Sequence, residues 1–371
     1  MNLTNSDINT LPDISASKDS SKKDNSNPYN SDTDTSNKNI PKISIYSKIT
    51  RFFVKHTVAR TKDKEKRKSY LTQIDDSSKN LEDLVKHFTK LSINNPLKTI
   101  SFLAYIKKWS ATYVDVQKKS DGIGHLIYTQ HDHKIPFKPE YDIDYIKIIP
   151  QLIFCGKEIA KWYKKEELTQ IIQAYLHSAK IAQDVFENHQ TIMPRFKNHN
   201  RLSLGTVQKI DKPINCCPSM HITYSTLIYN LGKYILPRED FDDIKKNTKN
   251  MINSVLYTKQ HALIDISFGI LCAKISFEKF YPDYKFDDMT KNFSEMKKDH
   301  PTINYGLIKQ VYVESLKKYD QENKKNNQEN TFAKVVSNYL IKNKFPIVSK
   351  DDNLSKKYFN TKTNKIQTLT Q

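Results

Sequence analysis

HALIDISFGILCAKISFEKFY, residues His261–Tyr281, decides the fold class. Ala262, Ile266, Ile270, Ala273 and Phe277 recur three and four residues apart, the repeat of one helix face. The same spacing runs through Leu81–Leu91, Leu97–Val116, Pro150–Tyr163, Glu166–Glu187, Ser219–Leu236, Phe241–Tyr257 and Ile303–Tyr319. Strand-like alternation is nearly absent, and Asp121–Gly122 is the one hairpin-type turn pair in a loop. The expected architecture is all-α, a helical bundle spanning about 78–320 and flanked by disordered tails.

Outside that body the composition changes. Met1–Lys42 is Ser, Asn, Asp, Thr and Lys with one aromatic, Tyr29. It lacks the apolar surface needed to offset its ordering entropy, so disorder is expected. The next segment, 43–77, places Ile45, Ile49, Phe52 and Phe53 at helical spacing among Lys48, Arg51, Lys55 and Arg60, with a basic run at Lys62–Lys68 behind them. Two readings stand: a helix lying on an anionic membrane, or an amphipathic helix docked on the domain. Gln321–Asn330 reads as a polar linker, and Thr331–Leu340 as one more helix before a frayed end, in a tail spanning 321–371.

The chain has 371 residues and a net charge of +19. An acidic partner follows: a phosphate ester or an anionic membrane surface, with nucleic acid the less expected choice. Four cysteines in a chain this long make no disulfide framework, which fits a reducing compartment. The first thirty residues hold no apolar run of a signal peptide. Met220–Leu236 and Ala262–Phe277 carry His221, Lys233, Asp265 and Lys274, short of the ~18 clean apolar residues a spanning helix needs. A cytoplasmic or peripheral membrane protein is expected.

Three patches carry candidate chemistry. In Thr191-Ile192-Met193-Pro194-Arg195-Phe196 a helix is expected to break at Pro194 and present Arg195, one of only six arginines. Its planar fork suits phosphate oxygens. In Asn215-Cys216-Cys217-Pro218-Ser219-Met220-His221, Ser219 is placed to cap a helix. The N–H groups of Met220 and His221 then form an anion site at the helix start. In Ser254–Asp265, His261 and Asp265 stand four apart on one helix face, where the carboxylate can hold the imidazole in one tautomer. Lys259 adds a cation. Each patch alone has a bland reading, since capped helices and surface His–Asp pairs are common. His131-Asp132-His133, with His125 nearby, lacks a surrounding ligand framework and reads as an exposed loop rather than a metal site. Cys216 and Cys217 read as small buried fillers.

Taken together, Pro218-Ser219-x-His221 followed by Lys259-x-His261-x-x-x-Asp265 resembles the second and third signature motifs of the type 2 phosphatidic acid phosphatase and vanadium haloperoxidase superfamily. The run Thr258-Lys259-Gln260-His261 is similar to the branch containing the inositol phosphorylceramide synthases, and Ser254 matches the serine that opens the third motif. The resemblance covers about Glu166 to Tyr281. It implies that His261 becomes a phosphohistidine, that Asp265 orients it, and that His221 protonates the leaving oxygen and later activates water. It implies that Arg195, Ser219, Met220, Lys259 and Ser254 surround the phosphate, with no metal or other cofactor required. The pattern departs from the family in places. Asn188 stands where the first motif has a lysine, with Lys180, His189 and Arg201 as candidate replacements. Pro194 precedes Arg195 instead of following it, Val255 replaces an arginine, and Met220 replaces a glycine. The implied activity is a phosphatase acting on a lipid or polyprenyl phosphate. Transfer to an alcohol acceptor, vanadate-dependent haloperoxidation and non-catalytic membrane binding are the alternatives.

Overall fold

The computed structural model describes residues 122–148, 165–196, 201–326 and 330–350, with isolated positions at 116, 120, 151–152, 154–155 and 199. All belong to the unit Ile43–Gln371. The other unit, Met1–Lys42, lies outside the described residues, as do the basic segment 43–77, the expected helix Leu81–Leu91 and most of the two expected helices after it.

The described chain is mainly helical. In order it runs β1 (Ile123–Leu126), α1 (Gln130–His133), α2 (Asp142–Ile146), α3 (Lys165–Asn188), β2 (Thr191–Ile192) and α4 (Leu202–Ile210). Then come α5 (Met220–Ile235), α6 (Arg238–Tyr257), α7 (Leu263–Phe280), α8 (Phe293–Asp299), α9 (Tyr305–Asn326), α10 (Thr331–Lys342) and β3 (Ile347–Ser349).

α7 is the hub. From Leu263 to Phe277 every residue but Lys274 is buried, which is how a helix enclosed on all sides reads. It packs against α3, α5 and α9, while α6 packs against α5 and α10 against α9 and α3. Each fully buried Leu, Ile or Phe contributes about 1.5–3 kcal/mol, so this helix anchors the core. Its buried Ser267 is satisfied by the carbonyls of Leu263 and Ile308, which pins α9 to it.

The expectation of an all-α chain needs a correction. A small sheet in the order β2-β1-β3 joins distant segments, with β1 parallel to β2 and antiparallel to β3. Strands of two to four residues are too short to show alternation, so periodicity could not reveal them. Three local expectations change with it. α3 ends at Asn188 and Thr191–Ile192 is a strand, so no helix breaks at Pro194. The segment read as a linker from Gln321 is the last part of α9, as far as Asn326, because glutamate, lysine and glutamine support a helix without apolar anchors. After α10 the chain forms β3 where a frayed end was expected.

Candidate active site

The start of α5 and the start of α7 lie side by side, and this brings the motifs together. Ser219 caps α5 as expected, its Oγ accepting from the Ile222 N–H at 3.4 Å. The Ser219 N–H donates to the Asp265 carbonyl at 3.2 Å, and the Thr223 hydroxyl reaches the Gly269 carbonyl at 3.2 Å. Gly269 permits this approach, since a Cβ there would stand 2.9 Å from the Ser219 carbonyl oxygen.

β2 positions the segment before α5. The Thr191 hydroxyl accepts from the N–H groups of Cys216 and Cys217 at 3.0 and 2.9 Å, and Gln190 Oε1 accepts from the Asn215 N–H at 3.0 Å. Arg195 follows β2 and is held by carbonyls. Its Nη1 donates to Gln260 at 2.9 Å and its Nη2 to Lys212 at 3.0 Å.

His261 does not lie on α7. It sits in the turn before the helix, and Asp265 is the third residue of the first turn. The pair forms all the same: Nδ1 stands 3.1 Å from Asp265 Oδ2. That oxygen also accepts the Ala262 N–H at 2.9 Å, one half of a capping box. Nδ1 lies equally close, 3.1 Å, to the Cys216 carbonyl oxygen. A carbonyl can only accept, so Nδ1 carries the proton and Nε2 keeps its lone pair. Burial lowers the His261 pKa to about 4, opposed by the charge of Asp211 and aided by that of Arg195. The ring is therefore neutral at pH 7. Burial pushes the Asp265 carboxyl well above its ordinary range. Because Oδ2 accepts from both neighbours, any proton on this carboxyl rests on Oδ1.

His221, in the first turn of α5, places its ring 5.8 Å from that of His261. Burial and the neighbouring His261 lower its pKa to about 3. Tyr145 of α2 covers it, with ring centroids 4.2 Å apart and its hydroxyl 3.4 Å from His221 Nδ1. Two neutral imidazoles, one with a fixed tautomer, thus meet beside one guanidinium. Such an arrangement suits nucleophilic and general acid–base chemistry on an anion.

Lys259 and Ser254 are committed elsewhere. Lys259 ends α6 in a Schellman arrangement: Gln260 N–H bonds the Val255 carbonyl at 3.0 Å and Lys259 N–H the Leu256 carbonyl at 3.2 Å. Its φ is +54°, a position that glycine usually fills. This reversal sends Nζ to the Asp132 carbonyl, over the rings of Tyr128 and Phe196. Burial lowers its pKa to about 8. The Ser254 hydroxyl bonds the Met251 carbonyl inside α6 at 2.9 Å. Neither group contacts the histidines, so the phosphate-binding roles expected of them are not supported by their contacts.

Other candidates also fall elsewhere. Arg201 grips buried Asp142 of α2, while His189 sits near His125 and Lys180 is exposed on α3. His131 and His133 are exposed on the short helix α1, and no group of three metal-ligating side chains occurs among the described residues. Asp132 between them is buried and accepts the Leu263 N–H at 2.7 Å, so it serves the start of α7.

Sequence reasoning missed three residues. Tyr145 comes from a segment with no motif around it. Asp211 pairs with Arg195, its Oδ2 at 3.2 Å from Nη2. Only Asp132 had a signal, as the middle of an otherwise unused His-Asp-His run. No described helix is long and apolar enough to cross a membrane. No protein-family model, curated protein or solved structure matches this chain.

Proposed function

We propose that this chain is a phosphate-ester hydrolase working through a phosphohistidine at His261, related in mechanism to the type 2 phosphatidic acid phosphatase superfamily. In this reading the domain is a helical bundle with its site at helix N-terminal ends. One observation carries the proposal: His261 Nδ1 is tied to an oxygen that can only accept, leaving Nε2 as a lone pair beside a second neutral imidazole and Arg195.

The chemistry follows in two steps. His261 Nε2 attacks phosphorus while the bond to the leaving alcohol oxygen breaks, and His221 gives that oxygen its proton. His221 then takes a proton from water, whose oxygen attacks phosphorus and breaks the P–N bond, releasing phosphate and restoring His261. An anionic phosphate next to His221 raises its low pKa, so the ring becomes an acid only when substrate is bound. Arg195 and the first turn of α5, including the N–H groups of Met220 and His221, stabilise the oxygens on which charge is spread. The net charge of +19 supports a phosphorylated lipid at an anionic membrane surface as the substrate class.

The test is release of phosphate by the full-length chain from an aryl phosphate and from a lipid phosphate, with mass spectrometry of acid-labile phosphate on His261. His261→Ala should abolish both release and labelling while the helical circular dichroism is unchanged. Equal release from His261→Ala would remove the proposal.

A further inference from the structure

The anion end of the site contains a carboxylate that the two-step chemistry does not use. Asp211 follows α4 and keeps its side chain 24 % exposed, with Oδ2 3.2 Å from Arg195 Nη2. Its charge reaches both imidazoles. Arg195 does not depend on it for orientation, because carbonyl oxygens of Gln260, Lys212 and Asp211 itself receive both terminal nitrogens. The carboxylate therefore subtracts charge from the guanidinium without being needed to aim it.

We propose that Asp211 is a charge filter that makes this site accept singly charged phosphate, a diester or a protonated monoester, over the doubly charged form. The inference rests on the phosphate reading given above. Its physics is a contest between two charge dependences. The cost of removing an anion from water grows with the square of its charge, while attraction to Arg195 grows only linearly. With Asp211 cancelling much of the guanidinium's field, the dianion loses that contest. The contest is read between about pH 5 and pH 8, where a phosphate ester with second pKa near 6 changes charge. Before an anion binds, His221 and His261 are neutral above about 3 and about 4, Arg195 is always charged, Lys259, lowered to about 8, loses its charge only at the alkaline end of the range, and burial favours the neutral form of Asp265.

The experiment is calorimetric binding to the full-length chain, needing no turnover. The probes are dimethyl phosphate, a fixed monoanion, and inorganic phosphate at the acid and alkaline ends of that pH range. Wild type should bind dimethyl phosphate and acid-side phosphate more tightly than alkaline phosphate. Asp211→Asn keeps the shape and an acceptor oxygen for Arg195. It should tighten alkaline phosphate binding by about tenfold, the order expected for one partly solvated unit charge, and dimethyl phosphate by less. If Asp211→Asn leaves alkaline phosphate binding unchanged or weakens it, with an unaltered melting temperature, Asp211 positions Arg195 and the filter is wrong. If wild type, Asp211→Asn and Arg195→Ala all fail to bind either probe, the phosphate reading falls and takes the filter with it.

Discussion

Gly269→Ala probes the contact that brings the two histidines together. A Cβ at 269 would stand 2.9 Å from the Ser219 carbonyl oxygen and 3.0 Å from Ile222 Cβ, where ordinary contact begins at 3.4 Å. α5 and α7 must therefore separate by about 0.5 Å at their crossing, which is the tolerance within which a catalytic pair keeps its geometry. The Ser219 oxygen has little freedom, since it already accepts from the Thr223 N–H and hydroxyl at 2.9 and 3.0 Å. Overpacking of this kind costs about 1–3 kcal/mol, and replacing a helical glycine by alanine returns about 1 kcal/mol. The net expectation is a loss of about 1 kcal/mol, lowering the melting temperature by about 2–4 °C in a domain of this size. Thermal unfolding followed by circular dichroism measures it. Gly205→Ala on α4 is the internal control, because its new Cβ meets nothing nearer than His199 Cε1 at 3.9 Å. That variant should melt at or slightly above wild type. A Gly269→Ala protein as stable as wild type would refute the close crossing, and with it the account of how His221 meets His261.

Three further outcomes follow from the same contacts. His221 and His261 are held near 3 and near 4 against an ordinary 6.5, mainly by burial, so the unfolded chain binds more protons across that window. Their contribution to stability is complete above about pH 6.5 and is lost as pH falls towards 3. A His221→Gln, His261→Gln double variant should flatten urea midpoints over this range, and an unchanged slope would count against the burial argument. Arg201→Ala leaves buried Asp142 without its two guanidinium bonds, a loss of about 3 kcal/mol measurable by urea unfolding. An undiminished midpoint there would show that Ser203 and nearby groups suffice for the carboxylate. Tyr145→Phe keeps the ring over His221 but removes the hydroxyl near Nδ1, so ¹⁵N shifts of the His221 ring should change while those of His261 stay put. Identical His221 shifts would mean that the ring alone matters.

The helices of the body were legible because burying one face of a helix forces a period of three to four residues, and α3, α5, α6, α7 and α10 all carry it. Ser219 as a cap was legible for a local reason as well: its hydroxyl meets an N–H three residues away. The His261–Asp265 pair was found by spacing, although the contact arises from a turn feeding a first-turn carboxylate and not from a shared helix face. What tertiary structure decided involves partners far apart in the chain. The short strand β2 sets Arg195 and the loop before α5, where the side-chain oxygens of Thr191 and the preceding Gln190 accept the N–H groups of Cys216 and Asn215, and two residues leave no periodic trace. The direction of Lys259 depends on a left-handed residue ending α6, which ties its Nζ to the Asp132 carbonyl. Asp211 and Tyr145 enter the site because Arg195 and His221 fold back onto them, 16 and 76 residues away along the chain. Local chemistry is written in neighbouring letters, whereas the charge a substrate meets is the sum of side chains that only packing brings within a few ångströms.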